Sequence, residues 1–478
     1  MDFSKIIIAA MRGGAGKTIL SIGIIAAWRA RGHQIAPFKK GPDYIDAGWL
    51  AMAAGRSCYN LDSFLITPDN LRESFYSHTP ENHIAVIEGN RGLYDGSDQH
   101  GSTSTAELSK MLDIPVILCL DCTKSTRTVA ASVLGCLHFD SNVNIAGVVL
   151  NRVAGHRHET VIRRTVEQRC GVSVLGAVPK LHKQRFPERH MGLVPIPEHV
   201  WATDAIEAAA DVAAQYIDLD QLMEIAQAKD SAATNTDAPQ TSTATIVSSI
   251  EDSPAIPPAA AKQPAHKPHI GVAKDSAFQF YYAENLEALE ASGAELIYIS
   301  PLTDSTIPQL DTLYIGGGFP ETHAQELADN VAFRTALKEL AENGLPIYAE
   351  CGGLMYLGES LVLDEIIYPM TGLLPIVFGL SSRPQGHGYT VISVKRKNPF
   401  FEMGTEIKGH EFHYSHILEW KGGPDDLAFD MRRGTGFIDN QDGICYKNIL
   451  ATYTHIHALG TPSWTQAMIR NAEQYRSS

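Results

Sequence analysis

The strongest constraint on the fold is a glycine-rich segment within the first twenty residues. An apolar run over residues 6–10 leads into Met11-Arg12-Gly13-Gly14-Ala15-Gly16-Lys17-Thr18 and then into an amphipathic segment. A buried strand that breaks into glycines and then enters a helix is typical of a phosphate-binding loop, because backbone N–H groups can surround phosphate oxygens there. Lys17 would reach the terminal phosphates and the Thr18 hydroxyl would bind Mg²⁺. A plain glycine-rich turn is the structural alternative, but Gly-Lys-Thr directly after a strand favours nucleotide binding.

The loop departs from the usual pattern at one position. The pattern places a glycine where this chain has Met11. The segment instead resembles the variant loop of dethiobiotin-synthetase-like and partition ATPases, with Arg12 in its first position. We therefore predict an ATP site that includes Arg12, Gly13, Gly14, Gly16, Lys17 and Thr18.

Composition narrows the classes of protein that fit this chain. Its 478 residues suffice for two or three domains, and a net charge of −15 argues against a general nucleic-acid surface or an anionic membrane surface. The longest apolar runs fall short of the roughly 18–20 residues that cross a bilayer. The start of the chain reads as a strand and not as a signal peptide. Seven cysteines without framework spacing predict reduced thiols in a cytoplasm, with Cys119 and Cys122 as packing residues.

Several predicted strands of the first half end in polar loops. The strand over 35–38 is followed by Lys39-Lys40-Gly41-Pro42-Asp43-Tyr44-Ile45-Asp46, and the strand over 84–87 by Glu88-Gly89-Asn90-Arg91-Gly92-Leu93-Tyr94-Asp95-Gly96. An acid directly after a buried strand is the position from which phosphate-loop proteins hold Mg²⁺. Further strands over 115–120 and 145–150 alternate with helical segments. The order predicts an α/β fold, a doubly wound parallel sheet with its site at the carboxyl ends of the strands.

A change of composition divides the chain. Residues 226–267 are rich in Ala, Thr, Ser and Pro with little apolar weight, which predicts a flexible linker. We therefore expect a synthetase-like domain over 1–225 and a second domain over 268–478.

The second half reads as another α/β domain with a cysteine at a sharp turn. Strands are predicted over 270–273, 294–300, 312–315 and 346–349, with an amphipathic segment over 322–342. The last of these strands runs into Glu350-Cys351-Gly352-Gly353-Leu354, which reads as a nucleophile elbow. The following helix N-terminus would favour the thiolate, and the glycines at 316–318 would offer N–H groups to an oxyanion. A packing role for Cys351 is the alternative. The histidines available as a base are His387, His410, His413, His416, His455 and His457, of which the last two follow a strand-like run over 449–453.

Taken together, these motifs resemble the cobyrinic acid a,c-diamide synthase family of glutamine-dependent amidotransferases. The resemblance spans nearly the whole chain outside the linker. It rests on the segments already quoted at 12–18, 39–46, 88–96 and 350–354 and on Asn60-Leu61-Asp62, Asn151-Arg152, Gly409-His410-Glu411-Phe412-His413-Tyr414-Ser415 and Thr452-Tyr453-Thr454-His455.

The resemblance implies a dethiobiotin-synthetase-like ATPase domain joined to a class I (triad-type) glutaminase domain. Cys351 would form a thioester with glutamine and His455 would be its base, with Gly317 and Gly318 on the substrate. Ammonia would then reach a tetrapyrrole carboxylate activated by ATP as an acyl phosphate, on the a and c side chains in turn. The residues implied for that half are Thr18, Asp43 and Glu88 as the Mg²⁺ shell, Lys17 for phosphates, Asn151 for adenine, Asp46, Tyr44 and Asp95 near the carboxylate, and Lys39 and Arg12 for the anionic substrate. A homodimer is possible.

Two departures from the family pattern leave questions open. Asp46 is followed by Ala47-Gly48-Trp49-Leu50 where the family usually shows Asp-Pro and then His, which leaves the substrate open among tetrapyrroles such as sirohydrochlorin, nickel-sirohydrochlorin and sirohaem. His457 stands where many class I glutaminases carry a glutamate, so the orienting partner of His455 is unassigned. From a different class, a partition-type ATPase switch without amidotransferase activity is the remaining alternative.

Overall fold

The computed structural model describes residues 3–181, 188–189, 192–193, 201–228 and 267–478. The predicted linker over 226–267 lies outside the described residues except at its two ends. At the first end, Ala226 is buried against the core of the first half, within a helix that ends at Gln227.

The first half is built on a seven-stranded parallel sheet in the order β3-β2-β4-β1-β5-β6-β7. Apolar runs form its strands because both faces of the sheet are covered by helices. The strands are β1 (Lys5–Ala10), β2 (Gln34–Lys40), β3 (Tyr59–Leu61), β4 (His83–Glu88), β5 (Val116–Asp121), β6 (Ile145–Val153) and β7 (Val174–Pro179), and a separate two-residue pair is β8 (Glu188–Arg189) with β9 (Gly192–Leu193). The helices are α1 (Lys17–Ala30), α2 (Tyr44–Ala54), α3 (Pro68–Ser77), α4 (Thr105–Leu112), α5 (Arg127–Phe139), α6 (His156–Cys170), α7 (Ala202–Tyr216) and α8 (Leu219–Gln227).

Strand β2 is longer than the sequence predicts. Lys39 and Lys40 lie inside it and are 2% and 4% exposed, where the prediction placed them in a loop. A buried ammonium needs a charged partner, and such partners come from residues outside the strand. Sequence pattern alone therefore underestimates the strand.

The second half contains a ten-stranded mixed sheet in the order β12-β10-β13-β15-β24-β23-β22-β19-β20-β25. The first five strands in this order are parallel and the others are antiparallel. The sheet strands are β10 (His269–Ala273), β12 (Glu295–Ile299), β13 (Thr312–Ile315), β15 (Ile347–Glu350), β19 (Gly386–Val394), β20 (Glu406–His413), β22 (Leu427–Arg433), β23 (Gln441–Tyr446), β24 (Ile449–Thr452) and β25 (His455–Ile456).

Smaller elements complete this half. Two short strands pair with each other and four form a separate sheet: β11 (Phe278–Phe280) with β14 (Gly317–Gly318), and β16 (Ser360–Leu363), β17 (Ile366–Pro369), β18 (Ile376–Leu380) and β21 (Ser415–Trp420). The helices are α9 (Ala283–Ala291), α10 (Ala324–Asp329), α11 (Val331–Glu342), α12 (Gly352–Leu357) and α13 (Pro462–Arg476), with 3₁₀ turns at Pro320–His323 and Pro424–Asp426.

The amphipathic segment predicted over 322–342 is not one continuous helix. It is divided between α10 and α11 at Asn330. The Asn330 side chain accepts from the Phe333 N–H at 3.3 Å and donates to the carbonyls of Pro301 and Asp304. A side chain that caps the second helix and binds a distant loop ends the first helix.

The two halves pack directly against each other. Tyr59 donates to Glu287 at 2.7 Å, and the Asn60 N–H donates to Glu284 at 3.1 Å. A third contact joins the Tyr389 hydroxyl to Asp62 at 2.7 Å. Within the described residues, the structure has no helix that combines the length and the apolar character of a membrane span.

Candidate active site

One cavity of about 1400 Å³ is lined by residues from both halves. Its first wall carries the phosphate-binding loop and the ends of β2 and β4. The opposite wall carries Cys351, His455 and part of β20. The structure therefore brings the two predicted sites to a single space, because the carboxyl ends of the parallel strands of both sheets face it.

The phosphate-binding loop closes tightly over the start of α1. Gly16 has φ = 94°, and a Cβ atom there would lie 2.3 Å from the Asn151 side-chain nitrogen, so only glycine fits. That nitrogen donates to the Ala15 carbonyl at 2.8 Å. Asn151, predicted at the adenine, thus lies directly against the loop.

Lys17 extends from the first turn of α1 into this wall of the cavity. Its ammonium donates to the Arg91 carbonyl at 3.0 Å, and burial lowers its pKa from the ordinary lysine value. A desolvated ammonium gains most from an anionic ligand. The position fits the predicted phosphate contact.

Three carboxylates, of Asp43, Asp46 and Glu88, lie around the Thr18 hydroxyl and are called the acidic group below. This hydroxyl lies 2.8 Å from Glu88 Oε1 and 3.4 Å from Asp46 Oδ2. Asp43 is the N-cap of α2 and accepts from the Asp46 N–H at 2.7 Å. The predicted metal ligands Thr18 and Glu88 are therefore in contact, whereas Asp43 reaches the group through Asp46.

Lys39 lies in the middle of these carboxylates. Its ammonium is 2.7 Å from Asp46 and 3.0 Å from Glu88. Burial lowers the pKa of Lys39, but the carboxylates of Asp46 and Glu88 outweigh it and raise the pKa above the ordinary value. Lys39 therefore places a positive charge among these carboxylates at the wall of the cavity.

The acidic group has the chemistry of a magnesium site. Burial, with Asp46 nearby, raises the pKa of Glu88 and raises that of Asp43 to about 7. Glu88 Oε2 is buried and lacks a hydrogen-bond partner. Within the described ranges, no three His, Cys, Asp or Glu side chains could hold a metal by themselves. Mg²⁺ takes one or two carboxylates together with substrate phosphates, so a hydroxyl and an unpartnered carboxylate oxygen fit it.

Two further predicted residues lie around this wall in different roles. Arg12 is exposed and forms an ion pair of 2.7 Å with Asp121 at the end of β5. Asp95 accepts from the Gly92 N–H at 2.9 Å and so holds the turn after β4. Asp95 also lines the cavity.

Cys351 occupies the sharp turn between β15 and α12. Its backbone has φ = 47° and ψ = −99°, and its N–H donates to the Thr452 carbonyl at 2.8 Å. Burial and the nearby Glu321 raise the pKa of the thiol, and the Gly352 N–H does not offset them. Burial therefore opposes the thiolate that the start of α12 is expected to favour, and that expectation stays a prediction.

His455 lies beside the glycine strand and the elbow. A Cβ on Gly317 would be 2.4 Å from His455 Cε1, so the ring needs glycine there. The Nδ1 of His455 is 3.3 Å from Glu350 Oε2. Gly317 and Gly318 pair with β11, while the Gly316 N–H donates to the Tyr281 hydroxyl at 2.7 Å. Gly316 is thus already bonded within the protein.

The remaining histidines have other contacts. His410 stacks on His455 at 4.9 Å, and burial lowers its pKa well below the ordinary value. His413 bonds to the Ser415 carbonyl at 3.0 Å, and His457 lies 3.6 Å from Glu284. His387 lines the cavity and His416 lies in β21. His455 lines the same cavity as Cys351, and its role as the base stays a prediction.

Tyr44 joins the two walls. It begins α2 in the first half, and its ring stacks on Phe280 at 5.3 Å and lies 4.5 Å from the Tyr282 ring. The same ring is 5.5 Å from His455. Tyr44 therefore stands between the acidic group and the predicted base.

Sequence reasoning missed several residues of the site. Arg433 and Tyr389, on the antiparallel strands of the second half, line the cavity. Glu350 was quoted in the elbow motif without a role. An acid at the end of a buried strand was a usable indication for Glu350, whereas no local pattern distinguishes Arg433.

Comparisons with known families cover both halves. A family model for a CobQ/CobB/MinD/ParA nucleotide binding domain matches residues 6–194. A second model, for a CobB/CobQ-like glutamine amidotransferase domain, matches residues 269–463. Each model falls on the half where the corresponding site was predicted.

Similar proteins match over nearly the full length. A cobyrinate a,c-diamide synthase of Magnetococcus marinus is 40% identical over 466 residues, 98% of this chain and 96% of the relative. One of Archaeoglobus fulgidus is 38% identical, over 99% of this chain and 98% of the relative. Among solved structures, PurLQS from Thermotoga maritima matches with a TM-score of 0.33 at 16% identity, over 44% of this chain and 100% of that one.

Proposed function

The chain belongs to the cobyrinate a,c-diamide synthase family, and from this premise we propose that it amidates the a and c side-chain carboxylates of cobyrinate. Glutamine supplies the nitrogen and ATP supplies the driving force. The first half, over 1–225, activates the carboxylate, and the second, over 268–478, releases ammonia. The relatives named for cobyrinate favour it over other tetrapyrroles, and the amidotransferase match disfavours a bare ATPase switch.

The observation that carries the proposal is the shared cavity. It is lined on one side by Lys17, Thr18 and Glu88 and on the other by Cys351 and His455. Ammonia formed at Cys351 is therefore released into the same cavity that the phosphate-binding side lines. A shared space thus links two reactions that are chemically separate.

In the glutaminase half, Cys351 is the nucleophile and His455 the base. The Cys351 proton passes to His455 as the sulfur attacks the glutamine side-chain carbonyl, with Gly317 and Gly318 beside the substrate. The leaving amino group takes that proton from His455 and departs as ammonia, so the acyl group stays on Cys351 as a thioester. Water, deprotonated by His455, then attacks the thioester carbonyl, and the Cys351 sulfur leaves and takes that proton as glutamate is released.

In the synthetase half, a substrate carboxylate takes the terminal phosphoryl group of ATP. Carboxylates are poor acyl donors, and conversion of one oxygen into phosphate makes it a leaving group. Lys17 and the loop N–H groups, from Arg12, Gly13, Gly14 and Gly16, hold the phosphates. Ammonia attacks the acyl phosphate, and phosphate departs to leave an amide.

The acidic group has two tasks in this proposal. Thr18 and Glu88, with Asp43 nearby, would hold Mg²⁺, which neutralises phosphate charge when bound. Asp46 orients Lys39 towards the anionic substrate. Tyr44 and Asp95 contact the substrate side chain, and Asn151 the adenine.

A mass-spectrometric assay tests the proposal. The protein is incubated with ATP, Mg²⁺, glutamine and, in separate tubes, cobyrinate, sirohydrochlorin, nickel-sirohydrochlorin or sirohaem. Each amidation replaces a hydroxyl by an amino group, so the mass counts the amides. Two amides on cobyrinate are expected. Amidation of another ring with cobyrinate untouched would overturn the substrate, and absence of glutamate release would overturn the reaction.

A further inference from the structure

We propose that Glu350 is the positioning residue for His455, the orienting partner that the sequence left unassigned. Its carboxylate holds the ring so that Nδ1 carries the proton and Nε2 is free to accept one. The inference rests on the proposed glutaminase reaction. It assigns a role to the residue directly before the nucleophile.

The contacts of Glu350 define this role. Oε2 lies 3.3 Å from His455 Nδ1 and 3.1 Å from the Tyr314 hydroxyl. Oε1 accepts the Ile456 N–H at 3.2 Å. The Glu350 side chain is 0% exposed. One carboxylate therefore binds both the side chain of His455 and the backbone of the next residue.

Burial of the Glu350 carboxylate determines which nitrogen of His455 carries the proton. A buried carboxylate oxygen needs donors, and a histidine nitrogen facing it donates its proton. With Nδ1 protonated, a neutral imidazole has its lone pair on Nε2. The geometry thus selects one tautomer.

The free nitrogen faces the glycine strand. A Cβ on Gly317 would lie 3.3 Å from His455 Nε2, and one on Gly352 would lie 3.0 Å from the Gly318 nitrogen. The strand therefore touches the ring on one side and the elbow on the other. His455 and Cys351 both line the cavity, and the proposal requires the Cys351 proton to pass to Nε2.

Sheet topology explains why the residue before the nucleophile can act on the base. Strands β15 and β24 are parallel neighbours, with Glu350 opposite Thr452. His455 follows three residues later, at the same edge of the sheet. The position two residues after His455, where many class I glutaminases carry a glutamate, holds His457. That side chain lies 3.6 Å from Glu284 of α9.

The variant Glu350→Gln changes the proton donor pattern while it keeps the side-chain volume. In the variant, the side-chain amide oxygen continues to accept the Ile456 N–H. The NH₂ group of the same amide then faces His455. That group cannot accept from Nδ1, so the ring adopts the tautomer with the proton on Nε2. We expect kcat for glutamine hydrolysis to fall by roughly 10²-fold or more, with KM for glutamine near that of the unchanged protein.

Tyr314→Phe is the matched control. It removes the other partner of the same oxygen and leaves the His455 contact, so we expect it to keep most glutaminase activity. Ammonium-dependent amidation reports folding and should persist in both variants. Retained kcat in Glu350→Gln, or an equal loss in Tyr314→Phe, would overturn the inference. A wild-type protein that releases no glutamate would instead overturn the proposed function.

A second measurement does not use the Glu350→Gln variant. With ¹⁵N-labelled histidine, the ring shifts of His455, assigned by comparison with His455→Gln, report which nitrogen is protonated. We expect the proton on Nδ1. A ring protonated on Nε2 in the unchanged protein would contradict the role of Glu350.

Discussion

Cys351 is held in a backbone conformation that residues with a Cβ seldom adopt. Its φ of 47° and ψ of −99° lie outside the common regions, at a cost of about 1–3 kcal/mol. The neighbouring strand and helix compensate by anchoring both sides of the turn. The result places Cys351 at the cavity, where burial raises the pKa of its thiol.

The first prediction concerns this thiol. Because the pKa of Cys351 is raised and only the thiolate is alkylated, iodoacetamide should label it slowly at neutral pH and faster as pH rises past the ordinary value of 9.0. Peptide mass spectrometry measures the rate, with glutathione as the reference thiol, because burial also raises the pKa of Cys445 to about 12. A rate that already plateaus near neutral pH would show that His455 takes the proton before glutamine binds.

Lys17 carries the second prediction. Lys17→Ala removes the positive charge that would bind the phosphates. Amide formation should therefore fall by roughly 10²–10³-fold with either glutamine or ammonium. Product mass over time measures it. Lys5→Ala is a matched control, since Lys5 also donates to a carbonyl at 3.0 Å but stands away from the cavity. Ammonium-dependent turnover retained by Lys17→Ala would contradict the phosphate role.

At the scale of elements, the N-terminus of α2 connects several functions. Asp43 caps the helix, Asp46 binds Lys39, and Tyr44 between them contacts the second half. The Asn60 amide donates to the carbonyls of Gly41 and Asp43, which anchors the loop before this helix. One helix end therefore ties the acidic group to the domain contact.

A prediction about coupling belongs to this element. Tyr44→Ala removes a ring between Phe280 and His455, so ammonia should escape and glutamate should form in excess over amide. With amide-¹⁵N glutamine and unlabelled ammonium, the fraction of ¹⁵N in the product measures the escape. Tyr44→Phe keeps the ring and should keep the label. An unchanged label in Tyr44→Ala would show that other residues close the path.

At the scale of the whole molecule, two separate sheets with their own cores face one cavity. The predicted site residues of each half lie at the carboxyl ends of the strands of that half. The interface is polar as well as aromatic, as Asn60–Glu284 and Tyr389–Asp62 illustrate. The halves are therefore coupled in space but distinct in reaction.

This separation predicts the behaviour of Cys351→Ala. Glutamine-dependent amidation should disappear, because the nucleophile is lost, while added ammonium should still support amide formation. The assay compares product mass with each nitrogen source. Cys445→Ala, another cysteine of the second half, should retain both activities. Loss of both in a folded Cys351→Ala protein would count against separate sites.

The sequence by itself determined the parallel strands other than β3 and β7, the phosphate-binding loop and the cysteine elbow. Each depends on local physics: apolar runs for buried strands, glycines for tight turns, and an acid after a strand. The same reasoning missed the antiparallel strands β19 to β23 and placed Lys39 in a loop. It also did not predict that α10 and α11 are separated at Asn330, because the hydrogen-bond partners of that side chain lie in another loop.

Only the tertiary structure decided which groups meet. Glu350 and His455 are 105 residues apart, and Thr18 and Glu88 are 70 apart. Tyr44 reaches His455 from the other half of the chain. Such pairs leave no periodic pattern, because they arise where strand order brings the ends of distant strands to one edge. The shared cavity, the ion pairs of Lys39 and the raised pKa of Cys351 all follow from that long-range packing and its exclusion of water.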